Sequence, residues 1–377
     1  MSRALTVVQL LPALESGGVE RSTLEIADAL VRAGHRAVVV SAGGRLVPQL
    51  LAVGGEHIEL EIGRKSPLVL RHVPALRRIF AQSSADIVHA RSRLPAWIGR
   101  FALRGVPVSR LPHASKPHFV TTVHGLNSPS RYSAIMARGE RVICVSQTVH
   151  DYVLRHYPGT DPGMLRVIPR GIDPAAFPRA AANEPAMRAV FAAQFPQLAG
   201  NGPLLLLPGR GTRLKGHGDA LALLAGLRAG GDDARLWMPG TREPGREDYV
   251  AELVTEASRL GIADAVAITP PTSRIAEAYA ASDLVLQFSR KPEAFGRTVI
   301  EALSVGRPVL GWAHGGVGEL LRELQPRGAV APFDGASMLA TARDLLARPP
   351  MPTATMPYTL QAMQQATLAV YDELADH

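Results

Sequence analysis

Three segments combine residue types that could handle a phosphorylated, hydroxyl-rich ligand. In Pro292-Glu293-Ala294-Phe295-Gly296-Arg297-Thr298-Val299-Ile300-Glu301 two carboxylates stand with seven residues between them. A helix opening near Gly296 would leave N–H groups at Gly296, Arg297 and Thr298 free for a phosphate. Glu293 before that turn and Glu301 inside the helix could each accept hydrogen bonds from sugar hydroxyls; taken singly, Glu301 is equally an ordinary helix-surface acid. In Leu207-Pro208-Gly209-Arg210-Gly211-Thr212-Arg213-Leu214-Lys215-Gly216, Arg210 and Lys215 are fixed cations beside glycines, a set that suits a diphosphate. At about 4 Å and an effective dielectric near 20, each such attraction is about 4 kcal/mol before desolvation is subtracted. Gly216 follows Lys215 where a Walker A loop has Ser or Thr, so this is not a P-loop. The third segment, Gly17-Gly18-Val19-Glu20-Arg21, follows an apolar run and opens a helix, which is another place for a phosphate or simply a tight turn. It lacks G-x-G-x-x-G, which argues against a nicotinamide cofactor. His124, between Val123 and Gly125, closes a further apolar run.

Such residues need strand ends to hold them, and the chain supplies strands at regular intervals. Apolar β-branched runs alternate with helical patterns: Leu5–Val8 then Ser22–Ala33, Ala37–Val40 then Val47–Val53, Ile58–Leu60 then Leu68–Gln82. Asp86–His89, Phe119–Val123, Arg141–Val145 and Leu165–Ile168 continue the series, which describes a parallel sheet covered by helices on both faces. Residues 174–185 are rich in proline and alanine and read as a linker. The alternation restarts with Leu204–Leu207, Arg235–Met238, Ala265–Ile268, Leu284–Phe288, Pro308–Trp312 and Ala329–Ala331. The expected α/β architecture is therefore two facing doubly wound domains, residues 1–173 and 186–348, with ligand loops around one cleft. In the segment 349–377, prolines at Pro349, Pro350 and Pro352 precede Leu360, Met363, Thr367, Val370, Tyr371 and Leu374 at helical spacing, an amphipathic helix that needs an apolar surface to cover.

Composition narrows the field. The 377 residues carry a formal net charge of +8 and are 46% hydrophobic, which excludes wholesale disorder. Cys144, the single cysteine, sits in an apolar run and leaves no thiol for an internal disulfide, pointing to a reducing compartment. Met1–Leu14 resembles the start of a secretory signal but is interrupted by Gln9 and Pro12, and reads better as the first buried strand. No run approaches the roughly 18 apolar residues of a membrane span. The charge excess concentrates between Arg64 and Lys116, where eleven basic residues face one acid, Asp86. Interleaved with Leu68, Leu76, Phe80, Trp97 and Phe101, they suggest two short helices with basic faces, so that residues 64–118 would meet an anionic membrane surface or a phosphorylated acceptor. Zinc-finger spacing, RNA-recognition signatures and an aromatic ladder are all missing, which argues against nucleic acid as partner.

Taken in order, Gly17-Gly18-Val19-Glu20, Thr122-Val123-His124-Gly125, Val167-Ile168-Pro169-Arg170-Gly171-Ile172-Asp173, Gly209-Arg210 with Lys215-Gly216, the Glu293 to Glu301 pair and Gly315-Gly316-Val317-Gly318-Glu319 resemble the group 1 (family 4) retaining glycosyltransferases of the two-domain GT-B type. The resemblance extends over nearly the whole chain and is strongest to bacterial enzymes of the lipopolysaccharide core. It implies a terminal helix crossing back to the first domain, a nucleotide-sugar donor, UDP by family frequency, and a glycolipid or lipopolysaccharide-core acceptor. By this resemblance Arg210 and Lys215 neutralise the diphosphate, helped by Gly17, Gly18 and Gly296 to Thr298, while Glu301 holds the ribose. Glu293 and His124 would contact the donor sugar, and Glu20, Arg21 and Arg170 the acceptor. The implied reaction is front-face transfer with retention, needing neither metal nor cofactor, on the inner face of the cytoplasmic membrane. Arg170 stands where many relatives have Asn, and Arg290-Lys291 replace small polar residues, so both departures add positive charge. A nucleotide-sugar epimerase and a nonenzymatic polyanion binder are the competing functions.

Overall fold

The thirteen strands among the described residues of this computed structural model follow the apolar runs, because Val, Ile and Leu in short continuous stretches are stable when a strand is covered on both faces. The structure describes residues 3–15, 17–106, 116–180, 185–351 and 355–376. Ser16, residues 107–115 of the basic stretch with Arg110, residues 181–184 of the expected linker, and Pro352 lie outside them.

In the first unit the strands are β1 (Thr6–Leu10), β2 (Arg36–Ser41), β3 (Glu56–Glu59), β4 (Ile87–Ala90), β5 (His118–Val123), β6 (Arg141–Cys144) and β7 (Leu165–Val167). They form one sheet in the order β3-β2-β1-β4-β5-β6-β7, and every pairing is parallel. The second unit holds β8 (Leu204–Leu206), β9 (Arg235–Pro239), β10 (Val266–Thr269), β11 (Leu284–Gln287), β12 (Val309–Trp312) and β13 (Ala329–Val330), paired in parallel as β10-β9-β8-β11-β12-β13. Strand order reverses direction between β1 and β4 and again between β8 and β11. Open parallel sheets bind ligands beyond the strands' carboxyl ends at such reversals.

The two compact units are Met1–Arg170 with Leu360–His377, and Gly171–Thr359. Residues 174–180 do not bridge the domains as a linker: Phe177 is buried, its carbonyl accepts from Ser304 Oγ at 2.9 Å, and the Ala180 N–H donates to the Val305 carbonyl. An aromatic side chain that can be buried packs on its own unit rather than staying in a solvated tether. The terminal helix, Leu360–Ala375, adds Met363, Val370, Tyr371 and Leu374 to the first unit's core beside Leu5, Val7, Ile26 and Leu30. Leu205, Leu224, Leu236, Leu286 and Trp312 centre the second core.

Two helices differ from their sequence patterns. The one expected at Ser22 begins at Gly18. The run Leu68–Gln82 splits into a 3₁₀ segment, Pro67–His72, capped by Ser66, and an α-helix, Val73–Gln82, because Pro74 has no N–H to continue a preceding α-helix and fits only a first turn.

Candidate active site

In the second unit, the segment after β8 turns through Arg213–Lys215 into the helix His217–Ala229. Gly216 between them has φ 76°, and a Cβ there would stand 2.1 Å from the carbonyl oxygen of Phe288, the residue after β11. This close approach turns Lys215 toward the next strand end, where its Nζ lies 2.5 Å from Glu293 Oε1. Ser289 donates its hydroxyl to the same oxygen, and His314 Nε2 donates to the Ser289 carbonyl at 2.7 Å. Burial pushes the Glu293 carboxyl up, but Lys215, Ser289 and His314 outweigh it and hold it below the usual carboxylate range. Arg210 is exposed after β8.

The Glu293 loop is clamped by the helix Gly315–Leu324: the Gly316 N–H donates to the Glu293 carbonyl at 2.8 Å. Gly315, with φ 59°, leaves room for that carbonyl, which would lie 2.6 Å from a Cβ. The helix Arg297–Val305 then opens at Gly296 with no side-chain cap, so Arg297 and Thr298 form its first turn. Glu301 is 8% exposed and is no surface acid. The Tyr279 hydroxyl donates to its Oε2 at 2.9 Å, and Arg297 Nε lies 3.3 Å from its Oε1. Burial and the neighbouring Glu301 push the Tyr279 phenol well above its ordinary range, keeping it a donor. The structure thus brings Lys215 and Glu293 together, and Arg297 with Glu301 one turn further along.

In the first unit, the helix Gly18–Arg32 also lacks a side-chain cap. The Glu20 carboxylate folds over Gly17, with Oε2 2.3 Å from where a Cβ would be, whereas Gly18 has open space on that side. A carboxylate of the chain therefore lies against Gly17 at the start of this helix. Arg21 is exposed on the same helix. His124, after β5, accepts at Nδ1 from Arg170, which also donates to Ser22 Oγ. Burial first, and then the charges of Arg170 and Arg91, hold His124 well below its ordinary pKa, so the ring is neutral.

The basic stretch is not one uniform face. Arg91 is 3% exposed inside the unit, Arg77 Nε donates to the Ala102 carbonyl, Arg93 to Ser133 Oγ and Arg100 to the Arg138 carbonyl. Hydrogen-bonding guanidinium groups to helix-end carbonyls and hydroxyls is a structural use of charge that a residue count does not reveal. Arg64, Lys65, Arg71, Arg78, Arg104 and Lys116 are exposed, as are Leu68 (69%) and Leu70 (51%). Among the described residues no helix is long and apolar enough to cross a membrane. Sequence reasoning did not single out Ser22, Arg91, Tyr279, Ser289 or His314. Arg91, Ser289 and His314 carried a signal, each lying one or two residues past a buried strand.

Comparison with known proteins decides what these two units are. Residues 16–176 match the family model for Glycosyltransferase Family 4, and residues 191–359 match that for Glycosyl transferases group 1. The chain is a group 1 glycosyltransferase. Its curated relatives include the D-inositol 3-phosphate glycosyltransferase of Rhodococcus jostii (strain RHA1), 31% identical over 195 residues, which are 50% of this chain and 40% of that enzyme. The match thus spans less than half the length of that relative. Among solved structures, a glycosyltransferase from Rickettsia africae ESF-5 superposes with a TM-score of 0.85 at 26% identity, covering 99% of both chains. Anabaena Alr3699/HepE, determined in complex with UDP and glucose, shares the fold with a TM-score of 0.74 at 21% identity, covering 98% of this chain and 95% of that one. The transferase therefore has the GT-B architecture of two Rossmann-like units.

Proposed function

We propose that this glycosyltransferase moves a hexose-type sugar from a UDP-sugar to a membrane-associated glycolipid or lipopolysaccharide-core acceptor, with retention. The observation that carries the donor half is the Lys215–Glu293 pair at the carboxyl ends of β8 and β11, next to the uncapped helix at Gly296. A cation, a hydroxyl-seeking carboxylate and the first turn of a helix without a side-chain cap, at neighbouring strand ends, match a diphosphate joined to a sugar. Lys215 and Arg210 take the diphosphate charge, the turn at Gly296 to Thr298 binds its oxygens, and Glu293 holds the sugar hydroxyls. Glu301, fixed by Tyr279, binds the ribose. Support for UDP comes from the Anabaena relative of the same fold, determined with UDP and glucose.

In this reading the transfer occurs on the front face: the leaving diphosphate accepts the acceptor's proton as the new glycosidic bond forms. Stabilising that leaving group is the main catalytic task, and no metal is required. Loss of one well-placed donor in comparable anion sites costs about 3 to 4 kcal/mol of transition-state stabilisation. His124, neutral and held by Arg170, presents a fixed N–H to the sugar.

The acceptor half rests on the charge of residues 64–118. Leu68 and Leu70 project beside Arg64, Lys65 and Arg71, a combination suited to an anionic bilayer surface on its cytoplasmic side. The curated D-inositol 3-phosphate relative supports a second acceptor class, a soluble phosphorylated polyol. Incubation with UDP-glucose or UDP-galactose and either lipopolysaccharide-core glycolipid or inositol phosphate tests the reading: UDP release that depends on the acceptor is expected. Conversion of the donor sugar without any acceptor would instead identify an epimerase.

A further inference from the structure

Arg290, which the sequence offers only as added positive charge, sits where three strand ends of the second unit meet. Its backbone N–H donates to the Leu214 carbonyl at 2.8 Å. Two residues before it, the Phe288 carbonyl leaves no room for a Cβ at Gly216. Lys215 is therefore held on both sides, at Leu214 and at Gly216, by the segment 288–290 that follows β11. Ser289, in that segment, carries the hydroxyl that donates to Glu293 and the carbonyl that accepts from His314. Both members of the Lys215–Glu293 pair thus depend on the backbone around residue 290.

The Arg290 side chain fixes that backbone from outside the pair. Its Nη1 donates to both carboxylate oxygens of Asp219, each at 2.8 Å, and Asp219 belongs to the first turn of the helix His217–Ala229. Its Cζ lies 4.8 Å from the centroid of the Phe333 ring, close enough for cation–π attraction. Phe333 follows β13 with φ 69°, a conformation that a bulky residue keeps only where its surroundings over-determine it. Here the surroundings are Arg290 over the ring, the Trp312 ring at 6.0 Å and the His314 ring, edge-on at 6.2 Å. The same His314 holds the Ser289 carbonyl, which closes the circuit from Phe333 back to the Glu293 loop. Asp219 matches the charge of Arg290, so the arginine adds no free cation for a diphosphate. An ion pair this exposed, 48% at the arginine side chain and 20% at the aspartate, adds little to folding stability. What it can set is geometry.

We propose that Arg290 is a positioning residue for donor recognition: held between Asp219 and Phe333, it fixes the spacing of Lys215 and Glu293 so that one donor spans both. The inference rests on the transferase reading of that pair and adds to it a group that touches neither phosphate nor sugar. Spacing matters only to a ligand that uses both residues. A UDP-sugar does so, with its diphosphate on Lys215 and its sugar hydroxyls on Glu293, whereas free UDP reaches Lys215 alone. Lysine is no substitute, because only a planar guanidinium lies flat on the ring while bonding the carboxylate.

Calorimetry of the full chain with UDP, UDP-glucose and UDP-galactose, in wild type, Arg290→Met, Arg290→Lys and Asp219→Asn, tests this role. All three variants should bind the UDP-sugar preferred by the wild type at least tenfold more weakly, and UDP within threefold of wild type. Their melting temperatures should stay within about 3 °C of wild type. Rescue by Arg290→Lys overturns the positioning role, as does equal weakening of UDP and UDP-sugar in Arg290→Met with Asp219→Asn unaffected, because Arg290 would then be a charge that meets the diphosphate. Unchanged UDP-sugar affinity in Arg290→Met overturns it as well. Crystal structures of wild type and Arg290→Met give a reading that needs no ligand: a Lys215–Glu293 contact kept at its wild-type length overturns the role, and a displaced one supports it. A wild type that binds neither UDP nor either sugar nucleotide strikes the transferase reading instead, and the crystal comparison then decides the spacing role by itself.

Discussion

Lys215 and Glu293 neutralise each other at 2.5 Å, so an incoming diphosphate competes with a carboxylate of the protein for the lysine. The outcome is favourable when the sugar's hydroxyls occupy Glu293 at the same time, which couples recognition of the sugar to recognition of the phosphates. Lys215→Ala should therefore weaken UDP-sugar binding at least tenfold, read by calorimetry. Because Glu293 titrates below its unfolded value, the pair stabilises the fold above the unfolded carboxylate pKa, and that contribution is lost as pH falls through the folded one. Lys215→Ala should then be less stable than wild type at pH 7 by about 1 to 2 kcal/mol, the ordinary cost of a half-buried pair, and the gap should close on acidification. Urea titrations at pH 7 and pH 3 check this; an equal gap at both would contradict it. Gly216→Ala should cost about 2 to 4 kcal/mol, through the positive φ and the collision with the Phe288 carbonyl. Residue-scale reading from sequence was uneven. Glu293 and Lys215 could be found because strand ends announce themselves in short apolar runs. The burial of Glu301 could not, because it depends on Tyr279, a partner 22 positions away that only folding brings alongside.

At the scale of elements, the terminal helix Leu360–Ala375 shows how a distant segment completes a sheet. Glu373 accepts from Arg141 on β6 and from Arg166 on β7, and these two contacts lower its pKa to about 2. Its stabilising effect is thus present above the unfolded carboxylate range and lost as pH falls toward 2. Glu373→Gln should lower stability at pH 7 by about 1 kcal/mol or less, as solvent-screened pairs do, and should be neutral near pH 2. Tyr371→Phe should cost about 1 to 3 kcal/mol at pH 7, since His89 Nδ1 would lose its partner in a buried site. The helix was legible in its apolar spacing, as were the strands. The break at Pro74 was equally on view in the sequence, but periodicity alone carried the pattern from Leu68 through it. The division of the basic stretch was not legible, for a physical reason: the composition of a helix does not distinguish a guanidinium in solvent from one bonded to carbonyls, as Arg77 and Arg100 are.

At the scale of the whole molecule, both sheets place their candidate residues beyond the carboxyl ends of strands at or beside a reversal of order: Gly17, Arg91 and His124 after β1, β4 and β5, and Lys215 and Glu293 after β8 and β11. That placement is why the architecture and the general position of the site could be read from alternating patterns, while the pairing of charges within each site could not. The exposed Leu68 and Leu70 give the membrane proposal its own test. Replacing both by Ser should reduce partition onto anionic vesicles several-fold and leave UDP affinity unchanged; undiminished partition would remove them from the surface. The most direct measurement for the account as a whole is the thermal stability of the full chain with UDP, UDP-glucose and UDP-galactose, in wild type and Lys215→Ala. At 100 times its dissociation constant a ligand adds about 2.7 kcal/mol to the folded state. A clear rise with UDP or a UDP-sugar in the wild type, lost in Lys215→Ala, is the predicted result; no rise with any of them, or a rise that Lys215→Ala retains in full, would contradict it.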